Sequence, residues 1–224
     1  MKLILSLITI TLTGSLFAQT KQITKYDDVL SLKERYDVLE SDTNIRQGEY
    51  ALISSKLLRK GFYKNNQKDS VWTSYDYNRD IQIVYDYTHK KLIDYKKSRW
   101  DNSKNGEYDI INGTDTTKRK LDQPPIYLDG DGKRLAIVII KTRYPAEARE
   151  KNIQGKVIIA FTIDENGDVS KYKINKRIGG GCDEEALRIA KLITGEWLPG
   201  MLNGKPVKVE YEMPFSFTLQ TEDR

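Results

Sequence analysis

Cysteine and histidine are almost absent from this chain of 224 residues. Cys182 is the only cysteine and His89 the only histidine. A single cysteine excludes an intramolecular disulfide, and a single histidine excludes a histidine-rich metal site and any chemistry that needs a histidine pair. The two residues lie in stretches of different character, which argues against a cysteine–histidine nucleophile. We therefore expect neither an enzyme nor a bound cofactor or metal.

Long apolar runs are also scarce. Apart from one segment at the start of the chain, no stretch is long enough to span a bilayer. That segment, Leu3 to Phe17, follows the positive Met1-Lys2 end and precedes Ala18, a small residue suited to cleavage. At about 15 residues it is shorter than the ~20 of a spanning helix. We expect residues 1–19 to be a cleaved secretory signal and the protein to be periplasmic. The alternative is an uncleaved inner-membrane anchor facing the periplasm.

Dense blocks of one charge are missing too. Charged residues make up 31% of the chain, the formal net charge is +5 and the mean hydropathy is −0.61. No Lys/Arg block with interleaved aromatic residues occurs, so the composition does not support nucleic-acid binding. A solvated basic surface accounts for the excess charge.

Aromatic residues are concentrated in the first half. After a weakly patterned entry over 20–45, expected to be helical or irregular, residues 46–100 contain short aromatic runs between Gly, Asn and Lys turns. Gly61–Asn66 leading into Lys68–Tyr75 predicts a β-hairpin. This region resembles the MORN-like repeats of the YwqK family. The resemblance implies that Tyr63, Trp72 and Tyr75 are core residues between neighbouring hairpins, rather than lipid or ligand contacts.

A polar, turn-rich stretch separates this region from the C-terminal part. Residues 101–124 contain Asn-Gly-Glu, Asn-Gly-Thr and the cluster Lys118-Arg119-Lys120. They predict a hairpin tip or a linker. Pro124-Pro125 then stiffens the chain, and we expect a second domain over 125–224.

The C-terminal part shows clear periodicity. Residues 135–141 are apolar and predict a buried helix or strand, whereas residues 155–163 and 169–177 predict an antiparallel pair joined by an Asn-Gly turn. Gly179–Cys182 precedes a helix whose first turn carries Asp183, Glu184 and Glu185, which complement the helix dipole. Packing or capping by Cys182 is favoured over a reactive thiol, although a helix N-terminus does lower a thiol pKa.

The last strand has the strongest pattern. From Val207 to Leu219 apolar and polar residues alternate with a period of two, so the apolar side chains share one face of a sheet. Pro214 removes one main-chain donor, which favours an edge position.

The C-terminal part contains an ordered set of motifs. They are Tyr144-Pro-x-x-Ala148, Ile153-x-Gly155-x-Val157, Phe161-x-Ile163-Asp-x-x-Gly167-x-Val169, Gly181-Cys-Asp-Glu-Glu-Ala-Leu187, Trp197-x-Pro199-Gly200, Asn203-Gly-Lys-Pro-Val207 and Pro214-x-x-Phe217. This ordered set is similar to the TonB C-terminal domain, in the form common among energy-transducer TonB proteins of Bacteroidetes-type bacteria. The resemblance implies an α+β fold: a three-stranded antiparallel sheet with packed helices, here preceded by a β-rich MORN-like hairpin domain.

The resemblance also implies a function. Such domains bind the TonB box, an extended peptide of a TonB-dependent outer-membrane transporter, as an added strand at the sheet edge. The matching positions here form a peptide-binding edge, and Arg143, Tyr144 and Pro145 are further box contacts. The edge residues are Val207, Lys208, Val209, Glu210, Tyr211, Glu212, Met213 and Phe215.

The front of the chain departs from a TonB-like transducer, because a signal and hairpin repeats replace the anchor and the long spacer. An inner-membrane motor of the ExbB/ExbD type is a partner only if the N-terminus stays uncleaved. Two hypotheses remain open. One is a periplasmic TonB-family module that binds a transporter peptide. The other is an envelope scaffold that uses both regions for protein contacts, without energy transduction, and whose edge is closed by its own chain or in a homodimer.

Overall fold

The structure is a computed structural model that describes residues 19–27 and 32–219. These residues form two antiparallel sheets, two short strand pairs and three helices. Except for Gln19, the signal segment expected over 1–19 lies outside the described residues. Within the described ranges, no helix combines the length and the apolar character that crossing a membrane requires.

The first sheet is a seven-stranded meander in which every strand pairs with its neighbours in the sequence. The helical or irregular entry expected over 20–45 is wrong, because this range contributes the first two strands. Leu32 and Tyr36, on the second strand, both pack against the aromatic cluster of the sheet, which a period of two permits. The strands are β1 (Thr20–Asp27), β2 (Leu32–Leu39), β3 (Arg46–Ile53), β4 (Leu57–Lys64), β5 (Gln67–Tyr75), β6 (Ile81–Asp86) and β7 (Lys91–Tyr95).

The predicted hairpin is present as β4 and β5. Asn65 and Asn66 form its turn with φ of 49° and 66°, the left-handed values that a tight hairpin turn requires. Two of the three aromatic residues expected in the core are there, since the ring of Trp72 lies 5.0 Å from that of Tyr50 and 5.1 Å from that of Tyr63. Tyr75 is only half-buried and lies outside this cluster. Gly61 lies directly under Trp72, so a Cβ there would meet the indole at 2.1 Å. The identity of these hairpins as MORN repeats stays a prediction.

The second sheet has five strands in the order β12-β11-β16-β8-β9. The expectation of three strands is therefore too small, because a hairpin from the stretch predicted as a linker, 101–124, joins the sheet. Of the two interpretations of that stretch, the hairpin is the one the structure contains. The strands are β8 (Glu107–Asn112), β9 (Asp115–Lys120), β11 (Gly155–Ile163), β12 (Val169–Lys176) and β16 (Val209–Phe217).

Three helices and two short strand pairs complete the fold. The apolar run over 135–141 is helical, since it belongs to α1 (Gly130–Lys141). The others are α2 (Ala146–Glu150) and α3 (Cys182–Leu192), and the short strands are β10 (Ile126–Tyr127), β13 (Trp197–Leu198), β14 (Gly200–Leu202) and β15 (Lys205–Val207), paired as β10–β13 and β14–β15.

Helix α1 joins the two sheets. Its first turn lies so close to β5 that a Cβ on Gly132 would meet the carbonyl oxygen of Tyr75 at 2.6 Å. The backbone N–H of Asp131 donates to Gln82 Oε1 at 2.6 Å, while Ile137 further along the helix is buried in the core of the second sheet. The chain thus passes from one sheet to the other near Pro124-Pro125, and a second domain over 125–224 stays a prediction.

Candidate functional site

Strand β16 carries most of the predicted peptide-binding edge. It pairs with β11 over all nine residues without a register shift, from Val209↔Ile163 to Phe217↔Gly155. Its odd-numbered residues are buried and its even-numbered residues are half-buried or exposed, so the alternation is real. Val207 lies apart from this ladder because it ends β15. The strand predicted to run from Val207 to Leu219 is therefore β16 alone, from Val209 to Phe217.

The outer side of β16 is partly occupied by the chain itself. Val209 pairs with Ile110 and Glu210 pairs with Asp109 on β8. On either side of these pairs, the N–H of Ile111 donates to the carbonyl of Lys208 at 2.9 Å and the N–H of Asn102 donates to that of Glu212 at 3.3 Å. Own-chain partners thus cover this side from Lys208 to Glu212. The stretch from Met213 to Phe217, in which Pro214 has no N–H, lies beyond this pairing.

Strand β8 contributes two buried side chains to the core. Tyr108 and Ile110 are 4% and 3% exposed. The Tyr108 ring stacks on that of Tyr211 at 6.5 Å, and its hydroxyl donates to Asp101 Oδ2 at 2.6 Å. Burial, together with that carboxylate, raises the pKa of Tyr108. Removing β8 from β16 would expose two core side chains, at a cost of several kcal/mol.

The two acidic residues predicted for the edge are held by intramolecular partners. Asn175 Nδ2 donates to Glu210 Oε1 at 3.0 Å and to Glu212 Oε1 at 2.9 Å. Lys173 Nζ lies 2.6 Å from Glu210 Oε2, and Asn102 Nδ2 donates to Glu212 Oε2 at 2.7 Å. These carboxylates therefore tie β16 to its surroundings on the polar face of the sheet.

The predicted box contacts Arg143, Tyr144 and Pro145 lie at the far end of β16. The Tyr144 ring meets that of Phe217 edge-on at 5.7 Å, and its hydroxyl donates to the carbonyl of Ile153 at 2.6 Å. Pro145 precedes α2. Arg143 is exposed, and its backbone N–H donates to Glu185 Oε1 at 2.7 Å. The structure thus brings Tyr144 to the end of β16 that β8 leaves uncovered and away from the end that β8 covers.

The loop before helix α3 is held by hydrogen bonds to Asp183 that the sequence did not reveal. Asp183 accepts the N–H of Ile178 at 2.8 Å and that of Gly179 at 3.2 Å, so its carboxylate holds the glycine-rich loop before the helix. Cys182 is fully buried. Burial and the neighbouring carboxylates, led by Asp183, raise the pKa of its thiol. A raised pKa keeps the thiol protonated, which agrees with a packing role.

A charged cluster between the sheets was not foreseen from the sequence. Asp129 binds both Arg59 and Lys133, and Glu196 binds Lys68 at 2.7 Å and the hydroxyl of Tyr87. The cluster borders a cavity of about 230 Å³ that Tyr50, Tyr63 and Trp72 also line. Its members come from β4, β5, α1 and the segment before β13, so no local pattern marks it.

This cavity offers no catalytic arrangement. Its cations are each paired with a carboxylate or stacked on an aromatic ring, with the Arg59 guanidinium 4.7 Å from the Trp72 ring centre. Among residues 19–27 and 32–219, no group of three His, Cys, Asp or Glu side chains could hold a metal ion. Two ion pairs of the cluster, Arg59–Asp129 and Lys68–Glu196, link the seven-stranded sheet to the C-terminal part of the chain.

Comparison with known proteins identifies one part of the chain. Residues 141–219 match the family model of the Gram-negative bacterial TonB protein C-terminal domain. The match covers α2, α3 and the strands β11 to β16, and it begins as α1 ends. No curated protein and no solved structure matches the chain. The match agrees with the ordered motifs in the sequence and with the sheet on which they lie: residues 141–219 of the chain are similar to the TonB C-terminal domain.

Proposed function

We propose that this protein is a periplasm-facing binding module of the cell envelope that takes up an extended segment of a TonB-dependent outer-membrane transporter as an added strand. The observation that carries the proposal is the TonB C-terminal domain at residues 141–219. Domains of this family are non-enzymatic and face the periplasm. Main-chain hydrogen bonds supply the affinity in strand addition, and pockets for alternate side chains supply the specificity.

The uncovered end of the predicted edge supports a contact there. Ser216 is exposed, and Tyr144 packs on Phe217 beside it. A peptide that runs along all of β16 would first have to displace β8. A peptide that pairs only from Met213 to Phe217 gains few main-chain hydrogen bonds, since Pro214 lacks a donor.

The direct test is a calorimetric titration of the full chain with TonB-box peptides from transporters of the same genome. The matched control is each peptide with N-methyl groups on alternate residues, which removes main-chain donors and keeps the side chains. We expect binding of the unmodified peptides and a loss of at least about tenfold on methylation. No binding of any box peptide at millimolar concentration would refute the proposal.

A second candidate function is favoured by the pairing of β16 with β8. An edge closed by core residues of the same chain suits an envelope scaffold that binds proteins without transmitting energy. Deleting the gene distinguishes the two. Loss of uptake of a transporter's substrate supports peptide docking, whereas normal uptake with a weakened envelope supports the scaffold.

Energy transduction needs an anchor as well as a docking site. If residues 1–19 are removed on export, no inner-membrane motor can pull on this protein through them. Mass spectrometry of the mature N-terminus tests this point, and an intact Met1 in the membrane fraction would restore the motor as a partner.

A further inference from the structure

The five-stranded sheet has two outer strands, β12 and β9, and they differ in regularity. β12 pairs with β11 through two register shifts, and Lys171 on it has a left-handed φ of 53°. Such irregularities twist an edge away from new partners. β9 pairs with β8 over all six residues without a shift, and every one of its residues is exposed. β9 is therefore the regular edge of this sheet.

The direction of the free backbone groups on β9 follows from the ladder. Ile111 donates its backbone N–H to the carbonyl of Lys208, the residue before β16, so the odd-numbered residues of β8 turn their backbone groups toward β16. The even-numbered residues of β8 then face β9, where the register places Ile110 opposite Thr117 and Tyr108 opposite Arg119. In an antiparallel pair, the residues between these turn the other way. Thr116, Lys118 and Lys120 thus present N–H and C=O groups outward.

The charge of β9 selects among partners. Lys118, Arg119 and Lys120 are consecutive and exposed. Lys118 lies 3.5 Å from Asp109, while within the described ranges Arg119 and Lys120 make no ion pair. A second copy of β9 would place these cations against one another, which disfavours pairing between copies. An extended segment rich in Asp and Glu would instead gain cross-strand ion pairs along the same edge.

We propose that β9 is a strand-addition site for an acidic, extended peptide segment. This inference rests on the proposed function, in which the C-terminal sheet binds a partner by adding a strand. It places the added strand beside β9 and not beside β16. With β8 occupying the start of β16, the outer strand on that side of the sheet is β9. The partner adds there without displacing Tyr108 or Ile110 from the core.

The test uses amide hydrogen exchange measured by NMR on the full chain. The probe is a capped peptide of about eight residues, a common strand length, with alternating Glu and Val, and its control has Lys in place of Glu. We expect the Glu peptide to slow exchange at Thr116, Lys118 and Lys120 by about tenfold or more. The neighbouring amides of Thr117 and Arg119, already bonded to β8, should change little, and the Lys peptide should change none of them.

Two substitutions of Lys118 separate the contribution of its backbone N–H to peptide binding from the contribution of its side-chain charge. Lys118→Pro removes one outward N–H and leaves the bonds to β8 in place. Lys118→Ala removes the same charge and keeps that N–H. We expect Lys118→Pro to weaken binding of the Glu peptide by about tenfold and Lys118→Ala by only about two- to threefold. Equal losses in the two variants would overturn strand addition at β9.

A reversible disulfide between β8 and β16 distinguishes peptide binding at β9 from peptide binding at β16. Asp109 and Glu210 are opposite residues on β8 and β16, so Asp109→Cys/Glu210→Cys can form a disulfide that holds the two strands together. Binding of the Glu peptide should be the same in the oxidised and reduced forms. Binding lost on oxidation, with slowed exchange at position 210 and at Glu212 in the reduced form, would overturn β9 and leave the proposed function standing. If neither the Glu peptide nor any box peptide slows any amide, both fail.

Discussion

At the scale of single residues, Lys68 is a largely buried cation whose pKa departs clearly from its ordinary value. Its side chain is 18% exposed, and its ammonium lies 2.7 Å from Glu196. Burial, with repulsion from Arg59, nevertheless lowers the pKa of Lys68 to about 8. Burial acts on Glu196 in the opposite sense and raises its pKa, but the hydrogen bonds from Lys68 and Tyr87 outweigh it and hold that pKa below the usual value. For the lysine, desolvation exceeds the gain from the ion pair.

The depressed pKa of Lys68 predicts how stability depends on pH. Between pH 8 and about 10 the unfolded chain keeps the proton on this lysine, whose ordinary pKa is about 10.4, while the folded chain releases it. Because the unfolded state binds more protons, the free energy of unfolding should rise with pH, by on the order of 1–2 kcal/mol. Urea unfolding across this range measures it. Above pH 10 the buried tyrosines, such as Tyr87 with its raised pKa, act in the opposite direction.

Two variants check the assignment to Lys68. Lys68→Met should flatten the rise between pH 8 and 10, because the titrating group is gone. Lys64→Met, on the exposed face of β4, should leave the rise unchanged. An equal slope in the wild type and Lys68→Met would mean that another group causes it.

At the scale of elements, the β8–β9 hairpin decides what the C-terminal sheet can bind. It lies in a stretch whose composition is that of a linker, yet Tyr108 and Ile110 belong to the main core. The motif Asn112-Gly113 supplied a valid hairpin signal, and Gly113 has a φ of 62°. What the local sequence did not contain was the partner strand, since β16 follows about a hundred residues later in the chain.

Neighbouring isoleucines on β8 test its place in the core. Ile110→Ala should lower the free energy of unfolding by about 2–5 kcal/mol, because the buried side chain leaves a cavity. Ile111→Ala, half-buried on the opposite face of the same strand, should cost less than about 1.5 kcal/mol and keeps the N–H that bonds to Lys208. Chemical denaturation of the two variants gives the comparison. Similar small costs for both would mean that residues 101–124 act as a linker.

At the scale of the whole molecule, backbone and side-chain contacts link the two sheets. α1 contacts both, and between them Ser74 Oγ donates to the carbonyl of Leu128 at 2.5 Å, next to the buried ion pair of Asp129 with Arg59. Buried charges in such a joint are costly to separate, because breaking one partner leaves the other unpaired. The sheets should therefore lose structure together.

Tryptophan fluorescence can follow each sheet separately. Trp72→Phe leaves Trp100 and Trp197 as reporters of the C-terminal core, and Trp100→Phe/Trp197→Phe leaves Trp72 as the reporter of the seven-stranded sheet. In each variant we expect the fluorescence midpoint in urea to coincide with that of the far-UV circular dichroism, as in a two-state transition. Separate midpoints within one variant would indicate two independent domains.

Several features of this protein are determined by the sequence alone. Period-two alternation identified β11 and β16, and the Asn-rich turn identified the β4–β5 hairpin. The ordered motifs identified the resemblance to the TonB C-terminal domain, which the family model matches at residues 141–219. These signals are local, because side-chain period and turn conformation depend on neighbours a few residues apart. The helical entry over 20–45 failed for the same reason: without its partner strands, that segment has little pattern of its own.

The tertiary structure alone decided which side of β16 is free. Strand pairing uses backbone N–H and C=O groups, which are the same in every residue except proline, so no residue of β16 marks which strand will lie beside it. Local sequence patterns do not reveal the charged cluster between the sheets either. Its members are far apart in the chain and meet only after folding: Arg59, Lys68, Asp129 and Glu196. The sequence therefore predicts a strand that could bind a peptide, and the packing of Tyr108 and Ile110 determines that its first half is already paired.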